Sequence, residues 1–210
     1  MRKSHLLAAA LVALVLLAGC SASPGVTSQS AVPPAAAPSS ASVPGAVGTE
    51  AAVPAETNPP GDIPDNQAFV PLKTAAGFTI KVPEGWSRSE EATGMVATDK
   101  LNTIQVRWSP AASAPTQVSA ESADVAALRA AGGAFELVKV ETVRLPAGEA
   151  VLVRYRVNSD PNQVTGKRYR LDVERYELFH AGMRVDVTLL SPVGADNVDP
   201  WRIVTRSLTW

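Results

Sequence analysis

VLVRYRV, residues 151–157, puts Val151, Val153, Tyr155 and Val157 at alternate positions, with Arg154 and Arg156 between them. A period of two is that of a β-strand with one face buried, because successive side chains leave opposite sides of the pleat. The same rhythm recurs on both sides of this stretch. FTIKV sets Phe78, Ile80 and Val82 against Thr79 and Lys81; TIQVRW sets Ile104, Val106 and Trp108 against Thr103, Gln105 and Arg107. MRVDVTL sets Met183, Val185, Val187 and Leu189 against Arg184 and Asp186. Further strands are expected over 95–98, 135–145 and 169–179. Read together, these segments predict an antiparallel sheet with one apolar and one wet face. The pattern Tyr169, Leu171, Val173 is broken at Arg175, after which Tyr176 and Leu178 are apolar in the opposite phase. That switch predicts a bulge or an exit from the sheet.

Two segments read as helices. PTQVSAESADVAALRAAGG (115–133) is alanine-rich, places Val118, Val125 and Leu128 on one face, and stops at Gly132-Gly133. In NVDPWRIVTRSL (197–208), Asp199 suits the N-cap, Pro200 the first helical position, and Val198 could staple to Ile203. Trp201, Val204 and Leu208 would then share the buried face. Helices on an antiparallel sheet make an α+β sandwich.

All eleven aromatic residues lie between Phe69 and Trp210, so the globular α+β domain is expected over 67–210. Residues 21–66 hold nine prolines, no aromatic residue and no Lys or Arg. With so little to bury, this stretch predicts a disordered linker. As a coil it would span about 40 Å, and fully drawn out about 150 Å.

The amino terminus reads Met-Arg-Lys and then an apolar run of twelve residues, Leu6 to Leu17. A basic head on a short apolar core is the pattern of a secretory signal. The run is short of the roughly 20 residues that a membrane-spanning helix needs. It ends in Leu17-Ala18-Gly19-Cys20, and Cys20 is the only cysteine of the chain. This tetrad resembles the lipobox of bacterial lipoproteins. The resemblance implies a diacylglycerol on the Cys20 sulfur, removal of the signal peptide 1–19, and a lipidated linker over 20–66. It also implies a cell membrane location on the extracytoplasmic face. Two acyl chains hold a protein to a bilayer where one holds only marginally. An internal disulfide is excluded by the count of one cysteine.

The domain itself carries a second resemblance. GFTIKVPEGW (77–86), the central helix and the closing LLSPVGADNVDPWRIVTRSLTW (189–210) resemble the PsbP/Mog1-like superfamily, in particular the LpqN-type lipoproteins of actinobacteria. That implies a binding or assembly factor of the cell envelope, and it brings no catalytic motif with it.

The residues offer little chemistry of their own. The chain has 19 basic and 20 acidic residues, with no basic run that would suggest nucleic acid. His180, the one histidine outside the amino-terminal run, sits in ELFHAGM at an expected hairpin turn. Asp160 and Asn162, and Asp196, Asn197 and Asp199, carry oxygen ligands of the kind calcium takes, but their spacing fits turns and a helix cap. Phosphate-loop, dinucleotide and nucleophile-elbow patterns do not occur, so no cofactor and no metal is expected. Arg107, Arg154, Arg156, Arg170 and Arg184 are expected on the wet face among Asp172, Glu174 and Asp186. They read either as a ladder of cross-strand ion pairs or as a recognition surface. Trp86, after Gly85, is the tryptophan expected to be exposed beside them. Three functions stay open: a non-enzymatic binding or assembly module for an envelope protein, a carrier of a small lipid or wall-derived ligand, and a carboxylate-dependent cell-wall hydrolase.

If Cys20 carries the anchor, Cys20→Ser will abolish labelling by a clickable fatty acid and leave unprocessed precursor. Labelling that persists in this variant would place the attachment elsewhere.

Overall fold

The computed structural model describes residues 50–99 and 101–210. Cys20, the expected signal peptide and the expected linker up to residue 49 lie outside them. Nine strands form: β1 (Phe69–Lys73), β2 (Thr79–Pro83), β3 (Ser87–Glu91), β4 (Gly94–Thr98), β5 (Thr103–Pro110), β6 (Glu136–Leu145), β7 (Gly148–Asn158), β8 (Arg170–His180) and β9 (Met183–Pro192). Helical structure comprises α1 (Gln117–Ser119), a π-helical turn (Ala120–Asp124), α2 (Val125–Ala130) and α3 (Val198–Arg206). Among the described residues no helix is long and apolar enough to cross a membrane. The expected α+β class is the class of the structure.

Seven strands make one antiparallel sheet in the order β3-β4-β5-β9-β8-β7-β6. β6 to β9 run as a meander, and β5 closes onto β9. Both faces of this sheet are covered, each over a different half. On one face the β1–β2 hairpin and α3 bury Phe78, Ile80, Val82, Trp201, Val204 and Leu208 against Ile104, Val106, Val185, Val187 and Leu189. On the other, Ala120 and Val125 pack on Val151, Val153, Tyr155, Leu171 and Val173. We call these the hairpin face and the helix face.

This corrects the expectation of a single wet face. The apolar residues of β9 point to the hairpin face and those of β7 to the helix face, so the apolar surface changes sides across the sheet. β8 is where it changes. Leu171 and Val173 belong to the helix-face core and Leu178 to the hairpin-face core. β8 needs no bulge for this: its register runs unbroken from Leu171 to His180 against β9 and from Arg170 to Leu178 against β7. The register shift lies instead between Leu137 and Lys139 of β6.

The helices also differ from expectation. Val118 is 76% exposed although Val125 is buried. The π-helical turn between them adds one residue to the coil, which rotates the following face by about 100°. α3 begins two residues earlier than expected, after Asn197, whose side chain makes no cap bond. Val198 and Ile203 stay exposed and form no staple. Asp199 pairs with Arg202 at 2.7 Å instead.

The expected domain start at 67 falls inside a packed segment. Ile63 is 4% exposed in the hairpin-face core. Its backbone N–H donates to Asn197 Oδ1 at 2.7 Å, and Asn197 Nδ2 donates to the Gly61 carbonyl and to Asn102 Oδ1, each at 3.0 Å. Further back, Asn158 accepts from the Val53 N–H and donates to Glu50 and to the Ala51 carbonyl. Glu50 pairs with Arg168, and Glu56 with Lys167. Composition missed this strap because much of it is held by backbone groups, at Gly61, Ile63, Ala51 and Val53, which carry no compositional signature.

Asn197→Ala would leave the Ile63 N–H and Asn102 Oδ1 buried without that partner. A loss of about 2–4 kcal/mol in urea unfolding is expected, with faster amide exchange at 61–63. Unchanged exchange there would show that the strap is held by other contacts.

Candidate functional site

The swap of apolar faces leaves two polar quarters on the sheet. On the hairpin face, beyond the edge of α3, the strands β6 to β8 present charged rows. Glu136, Arg156 and Asp172 stand in register across three strands, as do Lys139, Arg154 and Glu174. Arg156 Nε donates to Asp172 at 2.8 Å, and Arg154 lies 3.4 Å from Glu174. Tyr176 donates its hydroxyl to Glu174 at 2.8 Å; burial, and then Glu174 beside it, hold this phenol well above its ordinary range, so it stays a donor. The expected ladder of ion pairs is therefore present at Arg154 and Arg156.

α3 stands over this floor and makes a groove of about 700 Å³. Val198, Arg202 and Arg206, spaced four apart on one side of the helix, line it together with Trp201 and Thr205. Val143, Leu145 and Pro146 add apolar surface from the β6–β7 turn, and Ser191 of β9 also lines it. Four arginines (154, 156, 202 and 206) and two carboxylates (Asp172 and Glu174) border the groove, while the side chain of Arg144, between Val143 and Leu145 on β6, alternates to the other face. Its charge is thus positive in a chain whose formal net charge is −1. Arg144 and Arg206 have no ion-pair partner among the described residues.

Of the residues expected on one recognition surface, the structure brings only Arg154 and Arg156 to the groove. Arg107 and Arg184 project from the opposite side, since Arg107 stands in register with Asp186 of β9, whose Val185 and Val187 point to the hairpin face. Arg107 lies across Gly94, where a Cβ would come within 3.1 Å of its Cδ, and pairs with Glu91. Trp86 is 8% exposed and packs edge-to-face on Trp201, with ring centroids 6.3 Å apart. It is a core anchor that docks α3, because the chain turns it inward between β2 and β3. Arg170 is buried, donating to the Ala134 carbonyl and to Glu136. Arg202 and Arg206 were not singled out in the sequence; their i, i+4 spacing on a helix with a buried opposite face was the available signal.

The acidic loops act in turns. Asn162 Oδ1 accepts from the Val164 and Thr165 N–H groups, and Asn197 holds the strap. His180 is exposed and stacks on Trp210 with centroids 4.8 Å apart.

The second polar quarter lies on the helix face, at the end of the π-helical turn. Asp124 reaches down to Arg184 at 2.7 Å and to Arg175 at 3.4 Å. Both arginines also pair with Asp186 at 2.8 Å and with Glu177, which is 0% exposed. Glu177 Oε2 has no hydrogen-bond partner. Burial pushes the Glu177 carboxyl up to about 7; Asp124 and Asp186 push it the same way, and Arg184 and Arg175 offset only part of this.

No protein-family model and no curated protein sequence matches the chain. Solved structures are similar to it at low identity. Cyanobacterial PsbP from Synechocystis is 14% identical over 71% of this chain and 97% of its own, with a TM-score of 0.48. LpqN of Mycobacterium tuberculosis, involved in cell envelope biogenesis, is 14% identical over 69% of this chain and 91% of its own, with a TM-score of 0.44. The Ran-binding protein Mog1p of Saccharomyces cerevisiae is 12% identical over 67% and 87%, with a TM-score of 0.43. These are proteins of the groups that the sequence resemblance names. At such values they bring no ligand or activity to this chain.

Because the folded state holds the Glu177 proton more tightly than the unfolded chain, this group's contribution to stability is complete below its ordinary value near 4.5. It is lost as pH rises to about 7. Glu177→Gln should remove that slope, up to about 3 kcal/mol, and melt higher than the parent at pH 8. A pH profile of melting unchanged by the substitution would show that Glu177 is ionised throughout.

Proposed function

We propose that this chain is a lipid-anchored binding module of the bacterial cell envelope, without enzymatic activity of its own, and that the groove between α3 and the β7–β8 floor is its binding surface. One observation carries the reading: an open groove whose floor charges are already paired while its helical wall keeps arginines turned toward it. A paired floor is rigid and needs no rearrangement to receive a partner. The anchor at Cys20 and the proline-rich stretch after it support placement on the outer face of the membrane, with reach enough to meet components of the envelope.

The volume favours a small ligand or a narrow segment of a larger one, since sites for small molecules span about 300–1,000 Å³. The groove lies beneath α3, whereas the underside of the 117–130 helical segment is filled by the helix-face core. The hydrolase reading gains less. Asp172 and Glu174 project from one strand and each is tied to an arginine, whereas sugar hydrolysis needs two carboxyl groups flanking a bond, one of them keeping a proton.

A photo-crosslinking residue at Val198, in the groove and 64% exposed, should give discrete adducts with envelope components in intact cells. The same residue at Val164, on the 159–169 loop and 92% exposed, should not. Equal adducts from both positions, or none from Val198, would remove the groove as the binding surface.

A further inference from the structure

We propose that the groove takes a phosphate-monoester group carried on an apolar body, with Arg202 and Arg206 of α3 as its principal ligands. The inference rests on the groove being the binding surface and names the chemistry it recognises.

The charges of the groove sort into two sets. On the floor, Arg156 is engaged by Asp172, and Arg154 by Glu174. These guanidinium groups are neutralised where they stand. On the helical wall, Arg206 has no carboxylate partner among the described residues, and the partner of Arg202 is Asp199, one turn back on the same helix and exposed to water. Arg206 is left without a counter-charge and Arg202 keeps only a water-exposed one, both at the border of one 700 Å³ space. Like charges gathered without counter-charges are costly when the space between them stays empty of anions, so the arrangement is complementary to an anion.

The kind of anion follows from the donors. A guanidinium presents a planar fork that grips two oxygens, and Arg202 and Arg206 present two such forks one helical turn apart. A carboxylate has one charge and two oxygens and satisfies one fork. A phosphate monoester carries about −1.5 to −2 charge and three acceptor oxygens at neutral pH, enough for both. The apolar body follows from what else lines the space: Val143, Leu145, Val198 and Trp201. A free inorganic ion would leave that surface bare.

Residues 1–49 contain no Asp or Glu, so they bring no counter-charge. The two carboxylates nearest that segment, Glu50 and Glu56, are already bound to Arg168 and Lys167. The anion must come from outside, either as the headgroup of a lipid or as a soluble phosphorylated molecule.

The test is calorimetric titration of the full chain in a neutral detergent with phenyl phosphate, inorganic phosphate and phenol. Phenyl phosphate should bind saturably, inorganic phosphate at least about 10-fold more weakly, and phenol not at all. The double variant Arg202→Gln/Arg206→Gln should lose at least about 10-fold in phenyl phosphate affinity with an unchanged melting curve, since both side chains are exposed. Lysophosphatidic acid in the micelles, against lysophosphatidylcholine, identifies the source. Competition with phenyl phosphate by the former alone assigns a lipid headgroup, and no competition assigns a soluble phosphomonoester. No saturable binding of phenyl phosphate, equal binding of phenol, or affinity untouched by the double variant would overturn the proposal. Adducts from Val198 in cells together with any of these results would leave the groove as a binding surface and discard the phosphate.

Discussion

Strand β8 has to bury side chains on both sides of one sheet, and the rest of the molecule is arranged around that requirement. Leu171 and Val173 face the helical segment, while Leu178, seven residues beyond Leu171, faces the hairpin and α3. A period-two strand can do this without a bulge only if the cover moves from one face to the other along its length, so neither core spans the whole sheet. Each core is a half-layer, and the two lie diagonally. Burying an aliphatic or aromatic side chain is worth about 1.5–3 kcal/mol, and the diagonal arrangement lets both sides of β7, β8 and β9 contribute.

What the two cores leave over is polar by necessity. Diagonal cores imply diagonal polar quarters, and these are the groove floor and the Asp124 cluster. They solve the same problem differently. The groove floor stays open to water, where ion pairs contribute little to stability and rows of alternating charge keep the strands soluble. The cluster is roofed by the π-helical turn, so its charges must satisfy one another. Three carboxylates face two arginines there, and the surplus falls on Glu177, whose Oε2 has no hydrogen-bond partner. A buried charge without a partner is costly, and a proton on Glu177 removes that cost.

The strap 50–66 is tied to the domain at Asn158 and Asn197, with the Glu50–Arg168 and Glu56–Lys167 pairs beside them. Asn197 also opens α3 and lines the groove. One asparagine therefore fixes the entry of the chain, the start of the helix and one end of the candidate site. Its side chain accepts from the Ile63 N–H and donates to Gly61 and Asn102, because an amide does both, while the helix start uses its backbone carbonyl, which accepts from the Trp201 N–H.

Much of this was legible in the residues themselves. Alternation at 78–82, 103–108, 151–157 and 183–189 located four strands, and the alanine-rich and Asp-Pro-Trp segments located the helices, because backbone periodicity is a local property. The phase break at Arg175 was legible too, but its meaning was not: a bulge and a change of cover leave the same pattern in one strand. Which face Arg154 and Arg184 share, where Trp86 points, and that Arg202 and Arg206 overhang Arg154 depend on strand order and on where α3 is laid down. Those are set by contacts between residues tens of positions apart, such as Trp86 with Trp201 and Ile63 with Asn197. The Leu17-Ala18-Gly19-Cys20 tetrad, the charge balance and the strand segments were thus properties of the chain read in order. The groove and the buried carboxylate exist only once the sheet has chosen which half of each face to cover.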